Sequence, residues 1–356
     1  MNTSVRLTSV DVLRGLAVAA MLLVNNAGDW NHVYAPLEHA AWDGFTPTDL
    51  IFPLFLFIVG ASISLSLGAR REAGTPAAAL AGPMFRRGLR ILLLGLALHA
   101  LPWLLRDDAV LRWMGVLQRI ALCFIGVGAV ALWLDSLRAQ WTLLVALLLG
   151  YGLLLALGGP LDKAGNIASR LDGWLLGAHA YEWNAATGQG HEPEGLLSTL
   201  GALASCLLGL IAGRALRHGQ ASSLAGWGLV ALLLGGALDA LQPINKQLWT
   251  PAYVLWSGGL SLLALWAVHQ LVDRRGWPAL GRSFGVNAIA AYAGAWVMAV
   301  LLDHFGWQQR LMQGPLAPIG AWLGPEAQSL AFALGFVLVW AVVVRVLDRR
   351  RIYIKV

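Results

Sequence analysis

The stretch that runs from residue 9 to residue 60 reads SVDVLRGLAVAAMLLVNNAGDWNHVYAPLEHAAWDGFTPTDLIFPLFLFIVG. It consists of two apolar segments joined by a polar hairpin, residues 27–47. A turn between two membrane helices does not need many reactive groups, yet this one is rich in them. The side chains that can exchange protons or bind ligands are Asn25, Asn26, Asp29, His32, Glu38, His39, Asp43 and Asp49. The stretch therefore predicts a membrane-embedded site beneath its hairpin.

The whole chain has the composition of a membrane protein with several spans. Of its 356 residues, 58% are hydrophobic and 12% are charged, whereas soluble domains carry about 25% charged residues. We expect an all-α transmembrane bundle of about ten spans that forms one domain over residues 1–356, with a long outer loop at about 158–195. The apolar runs, most of them near the roughly 20 residues that a spanning helix needs, are 10–26, 48–67, 87–105, 114–134, 141–157, 196–216, 223–241, 248–272, 283–304 and 327–346.

The charges predict the orientation of this bundle. Most of the 25 basic residues fall on one side of the predicted spans, and this bias places both termini in the cytoplasm. Arg6 and Arg14 accompany the first run as in a signal peptide, but no convincing cleavage site follows, so we expect a retained helix. Most acidic residues lie on the outer side, an arrangement that suits a cationic substrate outside and an anionic one inside. The positive-inside rule alone also accounts for the basic side.

Polar residues in the predicted spans concentrate near their outer ends. Such residues are costly in a membrane and are functional candidates by default. Several helices that turn polar at one depth predict a shared cavity there. The residues concerned are Asn25, Asn26, Asp49, His99, Gln118, Arg119, Glu194, Asn245, Lys246, Asp303 and His304.

His39 is the strongest candidate for a reactive group. Imidazole titrates near neutrality, so it can take a proton from an amine or carry an acyl group transiently. Either role needs a partner that fixes the tautomer, and Glu38, Asp43 and Asp49 all stand close in the sequence. A loop histidine is also often simply solvated, and His32 offers the same chemistry nearer the tip of the hairpin.

The buried and clustered arginines allow two interpretations each. Arg119 needs an anionic partner in its low-dielectric setting, and we expect this partner to be Asp49, as a structural pair or beside a substrate. Arg14 either pairs with Asp11 three residues away or faces a phosphate. The inner cluster of Arg86, Arg87 and Arg90 either anchors anionic lipid or binds a nucleotide.

The chain lacks the motifs of several enzyme classes. It has no P-loop, no GxSxG, no HExxH and no paired CxxC. Cys123 and Cys206 lie inside apolar runs and are predicted to be small core residues. We expect no metal and no nucleic-acid partner.

Several motifs, in order along nearly the whole chain, resemble the membrane-bound heparan-α-glucosaminide N-acetyltransferase family, including its bacterial inner-membrane relatives. The resemblance is specific because the motifs occur together. They are SVDVLRG, EHAAWDG, TDLIFPLFLFIVG, GVLQRIAL, EPEGLLSTL, PINKQLWTPAYVL, GVNAIAAY and RIYIKV.

The resemblance implies an acetyltransferase that takes the acetyl group of cytosolic acetyl-CoA and delivers it to a glucosamine amine across the membrane. It implies that His39 is the essential histidine and that Asn25 assists it. The supporting or substrate-binding candidates are Asp43, Asp49, Arg119, Glu194, Asn245, Lys246 and Asn287, and the candidates for the CoA phosphates are Arg14, Arg86, Arg87 and Arg90. A homodimer is also implied, because the family's animal member is dimeric.

Two departures from the family pattern concern the acceptor. The interval between Asn25 and His39 is longer than in the animal enzyme, and the chain starts almost directly at the first span. Both favour a free amino sugar or a short cell-wall fragment over a polymer, at a bacterial inner membrane. Two other functions stay open: a membrane O-acyltransferase of a glycan or lipid, and a sugar transporter or flippase. Against the transporter stand the absence of a detectable inverted repeat and the concentration of polar groups away from the midplane.

Overall fold

The computed structural model describes residues 7–354, and these residues form a helical bundle. The helices are α1 (Thr8–Val24), α2 (Ile51–Ile63), α3 (Ala69–Glu72), α4 (Ala77–Leu105), α5 (Val116–Trp133), α6 (Leu137–Leu157), α7 (Ile167–Leu176), α8 (Thr199–Arg217), α9 (Ala221–Asp239), α10 (Pro251–Val268), α11 (Arg282–Val286), α12 (Ala288–His304), α13 (Trp307–Gln313), α14 (Ala317–Leu323) and α15 (Pro325–Arg349). One antiparallel hairpin, β1 (Glu182–Asn184) with β2 (Gln189–His191), lies in the long loop after α6. The all-α fold expected from the sequence is therefore present.

Each of the ten predicted apolar runs coincides with a long helix or a continuous helical segment. Within residues 7–354, eight of these segments are long and apolar enough to cross a membrane. A ninth is possible if α12 and α13, which meet at a bend of 75°, form one span. The first helix, α1, has 17 residues. The number of spans and the cytoplasmic position of the termini stay predictions.

Local sequence fixes where several helices begin. Ser136 accepts a hydrogen bond from the backbone N–H of Ala139 at the start of α6, and Thr250 accepts one from Tyr253 at the start of α10. Both are N-cap bonds, and Pro251 follows Thr250 at the first helical position, where its missing N–H costs nothing. These caps fix the direction in which the outer and inner loops leave the bundle.

Helices α2 and α8 cross so closely that only glycine fits at the contact. A methyl group on Gly60 would overlap the carbonyl oxygen of Cys206, and one on Gly209 would overlap the carbonyl oxygen of Phe57. Small residues allow membrane helices to approach in this way. Helix α8 is consequently the most buried helix of the bundle, whereas α6, α9 and α15 lie at its periphery.

The buried apolar residues form two main clusters. The larger one joins α2, α4, α5, α8 and α10. The second lies between α1, α11, α12 and α15, and it includes Val18, Phe284, Ala291 and Phe336. The molecule thus has a central bundle and a side layer built mainly from α12 and α15.

The polar hairpin between α1 and α2 is fastened to the loops beside it. The backbone N–H of Gly44 donates to the carbonyl of Ile244 (2.8 Å), and the side-chain amide of Gln247 donates to the carbonyl of Ala41 (3.1 Å). The indole N–H of Trp42 donates to the carbonyl of Leu161 (2.8 Å). These bonds hold the segment that carries His39 against the loop before α10.

Candidate active site

A cavity of about 810 Å³ opens where the outer hairpin meets the ends of α1, α12 and α15. Its lining is partly apolar and partly polar. Apolar and aromatic side chains include Met21, Leu22, Trp30, Tyr292, Trp296, Phe332 and Phe336. Polar side chains include Asn25, Asn26, His39, Arg112, Glu194, Lys246, Gln247, Asp303 and Gln308. Of the eleven polar residues expected to share one cavity, five line this one: Asn25, Asn26, Glu194, Lys246 and Asp303. The other six do not: Asp49, His99, Gln118, Arg119, Asn245 and His304.

His39 and Asp49 form the central pair of this site. The Nδ1 atom of His39 lies 2.7 Å from Oδ1 of Asp49, and the carboxylate is fully buried whereas the imidazole is 45% exposed. A carboxylate can only accept, so Nδ1 carries the proton and the Nε2 lone pair is available to the cavity. The sequence left Glu38, Asp43 and Asp49 open as partners, and the structure selects Asp49.

Asp49 is held in place by the chain around it. Its second oxygen, Oδ2, accepts hydrogen bonds from the backbone N–H groups of Ala40 (3.1 Å) and Thr46 (3.0 Å) and from the Thr46 hydroxyl (3.1 Å). The Tyr253 hydroxyl donates to the carbonyl of Asp49 (2.7 Å). These bonds occupy Oδ2 and leave Oδ1 for His39, so the carboxylate orients the imidazole.

Lys246 lies on the other side of the imidazole. Its Nζ is 2.9 Å from Nε2 and 3.0 Å from Nδ1 of His39, and 3.9 Å from Oδ1 of Asp49. Burial lowers the pKa of Lys246, although the charges of Asp49 and Glu194 act in the opposite direction. The site thus combines an acid, an imidazole and an amine.

Asn25 ends α1 at the wall of the cavity. Its side chain is exposed there and forms no hydrogen bond with any residue that the structure describes. A free carboxamide offers both a donor and an acceptor to a bound molecule. Asn26 beside it instead donates to the carbonyl of Leu22 (2.7 Å).

A second charged cluster, centred on Arg112, contributes Arg112 and Glu194 to the lining of the cavity. Arg112 contacts the carboxylates of Glu192 and Glu194, the latter at 2.6 Å, and its guanidinium lies 4.5 Å from the ring centre of Tyr181. The Arg112 charge is the main cause that lowers the pKa of Glu194, whereas burial raises the pKa of Glu192. Sequence reasoning missed Arg112, whose only signal was its place among the few basic residues on the predicted outer side.

Asp43 and Asn245 hold the fold rather than the cavity. The Asn245 amide donates to Oδ1 of Asp43 (3.1 Å), and its oxygen accepts from the backbone N–H of Leu248 (2.8 Å). Neither residue lines the cavity. The pair instead ties the hairpin to the turn that carries Lys246.

The expected pairing of Arg119 with Asp49 is wrong. Arg119 is fully buried, and its guanidinium donates to the carbonyl of Gly195 (3.1 Å) and to the Ser198 hydroxyl. It also lies 5.0 Å from the ring centre of Trp249. The physical reason is that the Asp49 carboxylate is already occupied by His39 and the hairpin backbone, while the start of α8 offers Arg119 two acceptors.

The predicted CoA-binding arginines lie toward the other ends of their helices. Arg14 contacts Asp11 (3.1 Å), the carbonyl of Gly285 (3.1 Å) and the Ser62 hydroxyl (2.5 Å). Arg87 lies 5.3 Å from the ring centre of Phe124, and Arg86 and Arg90 are exposed. None of these four residues lines the cavity.

Asn287 and the cysteines are also remote from the cavity lining. Asn287 is completely buried between α11 and α12, and neither of its side-chain polar atoms has a partner among the described residues. Cys123 and Cys206 are buried free thiols, as predicted. Within residues 7–354, no group of three His, Cys, Asp or Glu side chains is arranged to hold a metal ion.

The fold and the site define a helical membrane protein whose reactive groups, an imidazole with a buried carboxylate and an amine, face a cavity at one end of the bundle. Residues 6–227 match the family described as heparan-alpha-glucosaminide N-acetyltransferase, catalytic, and the chain belongs to this family.

Two curated proteins named heparan-alpha-glucosaminide N-acetyltransferase are similar to the chain. The one from Homo sapiens is 27% identical over 419 residues, an alignment that covers 99% of this chain and 60% of that protein. The one from Mus musculus is 29% identical over 374 residues, covering 86% of this chain and 55% of that protein. The chain therefore spans somewhat more than half the length of these relatives.

Proposed function

We propose that this protein moves an acetyl group from cytosolic acetyl-CoA to the amine of a glucosamine-type sugar on the periplasmic side of a bacterial inner membrane. The observation that carries the proposal is the His39–Asp49 pair at the wall of the cavity. The names of the two similar proteins support an amino-sugar acceptor and an N-acetyl product. Family membership supports the transferase class.

His39 is the residue that handles the proton or the acetyl group. Asp49 keeps Nδ1 protonated, so the Nε2 lone pair either takes a proton from the acceptor ammonium or attacks the thioester carbonyl. In the second route the C–S bond breaks, CoA leaves as a thiolate, and the acetyl group is carried on Nε2 until the amine attacks. Both routes convert one ammonium and one thioester into one amide and one thiol, with one proton released.

Asn25, Glu194 and Asp303 are proposed to bind the reacting groups. The free carboxamide of Asn25 can donate to the oxyanion that develops on the acetyl carbonyl, a role worth a few kcal/mol in other acyl transfers. Glu194 stays ionised beside Arg112, because that charge lowers its pKa, and it can hold the ammonium or a hydroxyl of the sugar. Asp303 lines the same cavity from the end of α12.

The donor is proposed to reach this cavity along α1. Arg14, Val18, Met21 and Asn25 are spaced three or four residues apart, so they share one face of the helix. Asn25 lies eleven positions after Arg14, a rise of about 16 Å along the helix. The pantetheine arm of the donor can span a distance of about that length. Phosphates at Arg14 and at the cluster of Arg86, Arg87 and Arg90 would then be compatible with a thioester at His39.

This route requires a movement of the side layer. Val18, which lies between Arg14 and Asn25 on α1, is buried in one apolar cluster with Phe284, Ala291 and Phe336. A donor arm can pass only if α12 and α15 move away from α1. The side layer has its own apolar cluster, separate from the main core, and this separation supports such a movement.

Proteoliposomes that hold glucosamine on one face and acetyl-CoA on the cytoplasmic face test the proposed function. The parent protein is expected to yield N-acetylglucosamine, and His39→Ala is expected to abolish the product while the variant stays folded. His32→Ala is the matched control, because His32 also bonds to an aspartate at 2.7 Å but does not line the cavity. Full activity of His39→Ala contradicts the role of His39.

A mass-spectrometric screen of amines and sugar alcohols distinguishes the remaining functions. Acetylated alcohols with unreacted amines indicate an O-acetyltransferase. Transport of intact glucosamine without acetylation indicates a transporter. The same purified sample, examined by light scattering in detergent, tests the proposed homodimer.

A further inference from the structure

The position of Lys246 relative to the imidazole is unusual for a hydrogen-bonded pair. Its Nζ is almost equally distant from the two ring nitrogens of His39, at 2.9 Å and 3.0 Å. If Nζ lay on the axis of the Nε2 lone pair, in the plane of the ring, it would be much farther from Nδ1 than from Nε2. The ammonium therefore stands over the face of the ring, and the lone pair of Nε2 stays accessible from the cavity.

Lys246 is not placed as a simple partner of Asp49. A structural ion pair would bring Nζ within hydrogen-bond distance of the carboxylate, but the separation is 3.9 Å, and Asp49 already accepts from His39, Ala40 and Thr46. The side chain of Lys246 is 17% exposed, and it lines the cavity. Its charge is thus directed at the space beside Nε2.

The turn that carries Lys246 is held rigidly. The backbone N–H of Trp249 donates to the carbonyl of Lys246 (3.1 Å), and Trp249 adopts a left-handed conformation with φ of 55°. A bulky residue in that region is strained, and such strain persists where the surrounding structure fixes it. The indole N–H of Trp249 donates to Ser205 on α8 (3.0 Å), and Asn245 bonds to Asp43. The main core and the hairpin therefore both fix the backbone of Lys246.

We propose that Lys246 is a catalytic residue whose ammonium stabilises the oxyanion formed on the acetyl carbonyl beside Nε2 of His39. This role rests on the proposed acetyl transfer. When Nε2 attacks, a C–N bond forms and the carbonyl π pair moves onto oxygen, which is then next to Nζ. When the intermediate collapses, the C=O bond forms again and the C–S bond breaks, releasing the thiolate. The Nδ1 proton stays in its hydrogen bond with Asp49.

The test compares Lys246→Met, Lys246→Arg and the control Lys163→Met in the acetyl-transfer assay. Lys163 is the other outer lysine; it pairs with Glu182 (2.6 Å) and does not line the cavity. For Lys246→Met we expect kcat to fall about 10²–10³-fold, the range for a lost oxyanion-hole donor, with the KM for each substrate within about threefold. Lys246→Arg keeps the charge, so it should retain more activity than Lys246→Met. Lys163→Met should match the parent.

Each outcome decides between the two proposals. If the parent forms no acetylated product with any acceptor, the proposed function fails and the role of Lys246 fails with it. If the parent is active and Lys246→Met keeps the parental kcat, only the role of Lys246 is overturned. A change confined to KM also overturns it, because it assigns Lys246 to substrate binding. Should Lys246→Met fail to fold, Lys246→Gln takes its place with the same expected loss of kcat, and a parental kcat in that variant overturns the role.

Discussion

Two histidine–aspartate pairs of equal length stand on the same hairpin, and only one of them faces the cavity. His32 bonds to Asp29 and His39 bonds to Asp49, each at 2.7 Å. The Asp29 side chain is 37% exposed and the Asp49 side chain is fully buried. Because a buried carboxylate is screened less than an exposed one, only Asp49 can strongly control its imidazole.

Replacing Asp49 with asparagine should therefore impair catalysis far more than it impairs folding. The carbonyl oxygen of the asparagine can still accept hydrogen bonds from the backbone. Its NH₂ group can donate to Nδ1 of His39, however, and this favours the tautomer in which Nε2 carries the proton. We expect kcat to fall about 10³–10⁴-fold, as when a triad aspartate is replaced in the same way. Steady-state acetyl transfer measures the effect, and the melting temperature in detergent measures folding.

Asp29→Asn is the control for this variant, since it alters the exposed pair by the same chemistry. It should leave kcat within about twofold, because exposed pairs contribute little. Equal losses in both variants would show that the hairpin responds to any loss of charge, and would argue against a special role of Asp49.

The sequence identified the members of this site better than their pairing. His39, Asn25, Glu194 and Lys246 were all predicted, and all line the cavity. Spacing along an irregular hairpin cannot say which carboxylate turns inward, because that depends on the 3₁₀ turn from Pro47 to Leu50 and on its backbone donors. For the same reason the pairing of Arg119 with Asp49 was wrong, because the sequence does not show in which direction a side chain points from its helix.

At the scale of elements, the contact between α2 and α8 depends on glycine. Gly209→Ala places a methyl group against the carbonyl of Phe57, and neither backbone can move without disturbing the main core. Overpacking of this kind typically costs about 1–3 kcal/mol, so we expect a clear fall in the melting temperature in detergent.

Gly226→Ala is the matched control within another helix. Nothing lies within 4 Å of a methyl group at Gly226 in α9, and alanine is the better helix former by about 1 kcal/mol. Its melting temperature should equal or exceed that of the parent. If both variants behave alike, the close approach of α2 and α8 is not what holds the bundle.

The buried imidazole of His191 makes the outer loop sensitive to acid. His191 lies between the Ser169 hydroxyl (2.8 Å) and the Gln247 amide oxygen (3.0 Å), and burial lowers the pKa of His191 to about 4. An unfolded histidine titrates near 6.5, so between these values the unfolded chain binds the extra proton. Stability contributed by the neutral imidazole is present above about pH 6.5 and is lost as the pH falls toward 4.

From pH 7 to pH 5 this group should cost the folded state about 2 kcal/mol. His191→Gln should therefore melt at a lower temperature than the parent at pH 7 but show a flatter decline toward pH 5. Burial raises the pKa of Asp172 to about 6, so this carboxyl makes the folded state more stable as the pH falls. Both proteins contain Asp172, so its contribution cancels when the variant is compared with the parent. A parental slope in His191→Gln would contradict the prediction.

The elements themselves were predictable because membrane helices are long and uniformly apolar. Every predicted run overlaps a helix, with ends that differ by several residues. The sequence did not predict the short elements α7, α13 and α14 or the β1–β2 hairpin. They lie in loops where no apolar period is long enough to indicate an element. They nevertheless matter for the site, since α13 supplies Gln308 and the segment before β1 supplies Tyr181.

At the scale of the whole molecule, the cavity lies between the central bundle and the side layer of α12 and α15. Polar residues from five separate parts of the chain meet there: Asn25, His39, Glu194, Lys246 and Asp303. The sequence predicted this convergence from the ends of the spans alone. It could not predict that Val18, Ala291 and Phe336 pack into one buried cluster, because packing between distant helices leaves no mark in one sequence.

The direction of the proposed acetyl transfer depends on the sidedness of the chain, which can be measured with cysteine labelling. Cys123 and Cys206 are completely buried, so the parent should not react with a membrane-impermeant maleimide and serves as the blank. Ala73 follows α3 and Ala186 lies between β1 and β2, and both are exposed. With both termini in the cytoplasm, Ala186→Cys should be labelled in right-side-out vesicles and Ala73→Cys only in inverted ones. The reverse pattern would place His39 on the cytoplasmic side and remove the need for transfer across the membrane. Labelling of both positions from the same side would instead contradict the predicted number of spans between them.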